Sequence, residues 1–144
     1  MEAFPARSLD LRPILITDDE ADDVFLLQHR LRKAGVANPI LIFRDGEELL
    51  KFFAETIAQR DRRPLLLLLD LKMPMLDGFD VLARVRAEAQ LQGLPVAVIT
   101  SSTRAVDRDR AVAAGADDFL EKFPAETELA ALVDRASRHP FSAE

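Results

Sequence analysis

The chain has 144 residues, carries 25 acidic against 19 basic side chains for a formal net charge of −6, and contains no cysteine. That length makes about one domain, large enough to bury a core without a disulfide or metal staple. The composition excludes disulfide frameworks, thiol nucleophiles and thiolate-held zinc, and the acidic balance argues against a nucleic-acid backbone as partner.

Residues 1–10 carry no periodic pattern and read as a flexible N-terminus. Ile14-Leu15-Ile16-Thr17 is a first strand, and Val24, Leu27, Gln28 and Leu31 follow at helical spacing. A second strand is Pro39-Ile40-Leu41-Ile42-Phe43, with helical spacing again in Leu49, Phe53 and Ile57. Leu65 to Leu69 is a third strand, followed by the helical set Phe79, Leu82 and Val85. Val96-Ala97-Val98-Ile99-Thr100 is a fourth, and the weaker Asp118-Phe119-Leu120-Glu121 a fifth. In the last helix Leu129, Leu132, Val133 and Ala136 share a face, with Glu126 and Glu128 in the first turn, where the helix dipole favours anions. Residues 139–144 read as a tail.

Continuous apolar runs mark strands covered on both faces, and alternation with helices marks a parallel sheet. The expected fold is α/β, a (βα)5 doubly wound five-stranded sheet. Gly35, Gly46, Gly78, Gly93 and Gly115 are expected between elements. Neither a dinucleotide fingerprint nor a P-loop occurs. The longest apolar run is far short of the ~20 residues a membrane helix needs, and no signal-peptide pattern opens the chain. A soluble, cytoplasmic protein without membrane or nucleic-acid partners is expected.

In a doubly wound sheet the chemistry gathers beyond the carboxyl ends of the strands. Asp18, Asp19 and Glu20 follow the first strand, Asp70 the third, Thr100 and Ser101 close the fourth, and Lys122 follows the fifth. Acids, hydroxyls and one ammonium on a single edge suit phosphoryl chemistry. Glu20, Asp22 and Asp23 read as a cap and first-turn carboxylates answering the helix dipole. Asp18 and Asp19 repel each other unless a cation offsets them, and clustered carboxylates suit a hard divalent ion, with magnesium favoured because it leaves places for water and phosphate. Asp70 is either a cap for the next turn or a nucleophile that forms an acyl phosphate. Lys122 would supply a point charge to phosphoryl oxygens and Thr100 a hydrogen bond.

The stretches Ile14–Glu20, Leu69–Phe79 with its D-L-K-M-P-x-x-D-G, Val98–Ser102 and Gly115–Lys122 together resemble the receiver domain of two-component response regulators. The resemblance covers roughly residues 11–138. It implies a flavodoxin-like strand order 2-1-3-4-5 and a phosphoacceptor Asp70, supplied by a sensor histidine kinase or a phosphotransfer protein. It implies further that Mg2+ is held by Asp18, Asp19, Asp70 and the carbonyl of Lys72. Thr100 and Lys122 would bind the phosphoryl oxygens, Thr100 and Phe119 would form the switch, and Lys72 and Ser102 would tune dephosphorylation. Apart from its own phosphorylation and dephosphorylation such a domain is not an enzyme. One departure stands out, because the family usually places proline directly after the lysine in a cis peptide, whereas Phe123 stands there and Pro124 follows.

The acid-rich start, the Glu55–Arg63 stretch and the Ser101-Ser102 pair are similar to single-domain regulators that partner bacterial phytochromes. A homodimer through the C-terminal face goes with that subgroup. Two other readings compete: a haloacid-dehalogenase-type phosphatase, which would need an aspartate where Lys72 stands, and a receiver-like interaction module that is never phosphorylated.

Overall fold

The computed structural model describes residues 10–59 and 62–138. The expected flexible ends lie outside these residues except for Asp10, whose carboxylate pairs with Arg12 and whose carbonyl accepts from Asn38. Five strands alternate with five helices: β1 (Ile14–Thr17), α1 (Ala21–Lys33), β2 (Ile40–Phe43), α2 (Gly46–Thr56), β3 (Leu66–Leu69), α3 (Gly78–Ala87), β4 (Val96–Thr100), α4 (Ala105–Ala113), β5 (Asp118–Glu121) and α5 (Glu126–Ser137). All pairings are parallel and the sheet order is β2-β1-β3-β4-β5. This is the doubly wound (βα)5 arrangement expected.

The strands' alternation divides the core in two. Ile14, Ile16, Leu66, Leu68, Ala97 and Ile99 face a layer from α1 and α5, in which Leu27, Leu31, Leu129 and Leu132 are buried. Leu15, Leu67, Leu69, Val96 and Val98 point the other way, against Leu49 and Phe53 of α2, Val81, Leu82 and Val85 of α3, and Ala111 of α4. Successive strand side chains point to opposite faces, so a sheet clothed on both sides needs unbroken apolar runs. The central strands β1, β3 and β4 are buried throughout, while edge strand β2 is only half-buried.

Two details of the sequence reading change. Gly46 and Gly78 are not between elements; each is the first residue of a helix, placed there by close packing. A Cβ on Gly78 would stand 2.4 Å from the carbonyl oxygen of Asp70, too close for any side chain. The α3 N-terminus is closed by a reciprocal cap: Asp77 Oδ1 accepts from the Asp80 N–H (2.9 Å), and Asp80 Oδ2 accepts from the Asp77 N–H.

Register carries the sheet's order to the site. Thr17 lies opposite Leu69, so the next residues of each strand, Asp18 and Asp70, emerge side by side, and the Asp70 N–H donates to the Thr17 carbonyl (3.0 Å). On the other flank Thr100 pairs with Glu121, and the Lys122 N–H donates to the Thr100 carbonyl (2.8 Å).

Candidate functional site

Asp18, Asp19 and Asp70 converge at the carboxyl edge, each with a carboxylate oxygen within 4.8 Å of the others. Asp18 and Asp70 are buried and Asp19 is exposed. Asp18 is held at both oxygens: Oδ1 accepts from the Glu20 N–H (2.9 Å), which pins the turn into α1, and Oδ2 meets Lys122 Nζ at 2.9 Å. Lys122 Nζ also lies 2.7 Å from Asp23 Oδ2 and 3.6 Å from Asp70 Oδ2.

Burial, and then the charge of Asp18, push the Asp70 carboxyl up to about 6, against the opposing pull of Lys122 and of the backbone N–H groups of Lys72 and Leu71. Burial works against the Lys122 ammonium, but its hydrogen bonds to Asp23 and Asp18 and the charges of Asp70 and Asp18 outweigh it and hold the lysine well above its ordinary value. Three converging carboxylates and a single ammonium leave an excess of negative charge, which adds to burial in raising Asp70. Oxygen-only donors on an open edge fit a hard divalent cation such as Mg2+. Asp18, Asp19 and Asp70 would hold that ion, which would neutralise charge on a transferring phosphoryl group.

Of the remaining expected residues, Thr100, Ser102 and Lys72 lie at the carboxyl ends of β4 and β3, whereas Phe119 lies within β5. Thr100 ends β4 fully buried, and its Oγ1 accepts from the Ser102 N–H at 3.2 Å. Ser102 is itself buried; its hydroxyl donates to Asp107 Oδ2 of α4 (2.5 Å) and accepts from the Arg104 N–H. Lys72 extends an exposed side chain from the loop after β3. Phe119 is buried with the α2, α3 and α4 layer, and the Arg108 guanidinium stands 5.1 Å over its ring. The Lys122–Phe123 peptide is cis.

Three residues have roles at the site that the sequence reading did not assign. Asp23 does sit in the first turn of α1, as expected, but its carboxylate also makes the shortest contact to Lys122. Asp107 fixes the hydroxyl of Ser102, and Gly78 allows the close approach beneath Asp70. Only Gly78 had a signal, its place in the D-G pair; Asp23 and Lys122 are 99 residues apart, and no local pattern joins them.

Residues 14–134 match the model of the response regulator receiver domain. The chain is 34% identical over 111 residues to the alkaline phosphatase synthesis transcriptional regulatory protein PhoP of Bacillus subtilis, an alignment covering 77% of this chain and 42% of PhoP. It is 34% identical over 90 residues to the response regulator Rcp1 of Synechocystis, covering 62% of this chain and 61% of Rcp1. It therefore spans less than two thirds of the length of these relatives. The solved structure of the bacteriophytochrome response regulator AtBRR superposes with a TM-score of 0.74 at 32% identity, covering 89% of this chain and 93% of that one. The Mn(2+)-bound form of Rcp1 gives a TM-score of 0.69 at 28% identity, covering 88% and 91%.

Proposed function

The chain belongs to the response regulator receiver domain family, and we propose that it works as a phosphorylation-driven signalling module with Asp70 as the phosphoacceptor. The observation that carries this reading is a buried aspartate at a strand end, set between a carboxylate pair and a partly buried lysine. A carboxylate oxygen of Asp70 attacks phosphorus; the bond from phosphorus to the donor's nitrogen or oxygen breaks as the acyl phosphate forms, and the leaving group takes up a proton. Lys122 meets the charge of the transferred oxygens, and Thr100 turns its hydroxyl from the Ser102 N–H toward them. Asp18, Asp19, Asp70 and the Lys72 carbonyl would hold Mg2+, which would neutralise charge on the phosphoryl group; the manganese-bound form of the neighbour Rcp1 supports a divalent ion here.

The donor we infer is a sensor histidine kinase or a phosphotransfer protein, and the likeness to AtBRR favours a bacteriophytochrome among the kinases. Movement of Thr100 and Phe119 would then alter the face of α4, β5 and α5, where Val106 and Val112 of α4 are exposed, and that face would meet the downstream protein or a second copy. No helix among the described residues is long and apolar enough to cross a membrane, in keeping with a cytoplasmic site of action.

Treatment with Mg2+ and acetyl phosphate, followed by mass mapping, tests the reading. One phosphoryl group on Asp70, absent after Asp70→Asn, is expected. A label on another residue, or none in the presence of Mg2+, overturns it, and the latter result returns the chain to the unphosphorylated interaction module. Catalytic turnover of a phosphate ester would favour the dehalogenase-type phosphatase, although Lys72 stands where that chemistry needs an acid.

A further inference from the structure

Lys122 is partly buried, and it divides its ammonium among three carboxylates: Asp23 at 2.7 Å, Asp18 at 2.9 Å and Asp70 at 3.6 Å. Two of these belong to the cluster that converges with Asp19; Asp23 does not. When a divalent ion takes Asp18 and Asp70, the lysine loses the undivided charge of both and faces a new positive charge. Asp23 is then the one contacting carboxylate still free to balance it. The same helix holds the neighbouring backbone, because Arg30, seven residues after Asp23, donates to the Pro124 carbonyl at 3.0 Å and reaches that of Phe123 at 3.5 Å. Helix α1 thus grips the segment carrying Lys122 by its side chain and by its main chain.

We propose that Asp23 is a positioning residue that draws the Lys122 ammonium toward α1 and so leaves Asp18 and Asp70 open to a divalent cation. The inference rests on the reading of Asp18, Asp19 and Asp70 as a metal site. Without Asp23, Lys122 turns fully onto Asp18 and Asp70, and the cation has to displace it. The loss of a nearby anion acts in the same direction, since it also weakens attraction for the ion. Asp22 separates the two effects. It is the adjacent residue in the same first turn and carries the same charge, but it is exposed and makes no contact with Lys122.

The experiment is calorimetric titration of Mg2+ alone into the full chain, comparing wild type, Asp23→Asn, Asp22→Asn, and each of these in a Lys122→Gln background, with circular dichroism to confirm folding. Asp23→Asn is expected to weaken Mg2+ binding roughly tenfold, the scale of coupling within one ion-pair network. Asp22→Asn is expected to weaken it less than about twofold, as befits a solvent-screened charge. With Lys122 replaced by Gln, Asp23→Asn should cost no more than Asp22→Asn. Equal losses for Asp23→Asn and Asp22→Asn overturn the inference, as does a loss from Asp23→Asn that persists without the lysine. If wild type binds no Mg2+, the metal-site reading falls and this inference with it; if wild type binds and Asp23→Asn matches it, only this inference falls.

Discussion

Replacing Asp70 by Asn should make the metal-free protein more stable at neutral pH, although it removes the residue on which the proposed chemistry depends. In the fold the carboxyl is pushed from its ordinary 3.8 up to about 6, chiefly by burial and then by Asp18. The native state therefore binds this proton more tightly than the unfolded chain does. Its contribution to stability is greatest below about pH 4 and is lost as pH rises through 6, so that ionised Asp70 is a net cost at pH 7.5. Two pH units correspond to about 3 kcal/mol as an upper bound. Asp19 on the same rim is exposed, so water screens part of the cost, and about 1–2 kcal/mol is expected on replacement by the amide. Urea denaturation in EDTA, run on both proteins at pH 7.5 and pH 5, measures it. The advantage of Asp70→Asn should fall by about half at pH 5, where native Asp70 is largely protonated. Excess Mg2+ should reverse the order, because an ion that binds only the native state stabilises wild type in proportion to the logarithm of its concentration, and the variant lacks one ligand. A variant no more stable than wild type at pH 7.5 without metal would refute the electrostatic account, as would an advantage that stays constant down to pH 5.

Asp19→Ala should weaken Mg2+ binding, read by calorimetry, while changing unfolding free energy by less than about 0.5 kcal/mol, since the side chain is exposed. The acyl phosphate should decay over many minutes or longer after donor removal, because neither Lys72 nor Ser102 offers a carboxylate base and the Ser102 hydroxyl is committed to Asp107. Lys72→Asn with Ser102→Glu should speed that decay at least about tenfold in a phosphate-release assay. Gly78→Ala should cost about 1–3 kcal/mol in chemical denaturation and slow labelling by acetyl phosphate, since the added Cβ meets the backbone of Asp70.

The sequence alone determined the fold class and most of the site. Unbroken apolar runs such as Leu65–Leu69, alternating with helices, are satisfied by strands covered on both faces, and the strand ends name the edge that carries Asp18, Asp70, Thr100 and Lys122. Periodicity marked four helices by their buried faces; α4 has only Ala111 buried and exposes Val106 and Val112, so its apolar spacing is too weak to read. Tertiary structure decided which strand face meets which helices, because alternation identifies two faces but does not say which helix covers each. It also decided the partnership of Asp23 with Lys122, the tie from Ser102 to Asp107, and the closeness of Gly78 to Asp70. The partners in the first and last of these contacts come from different elements, and Ser102 meets Asp107 through the turn into α4. Such pairings depend on the register of strands and the rotation of helices, which are set by packing the whole core and leave no periodic trace in the local sequence.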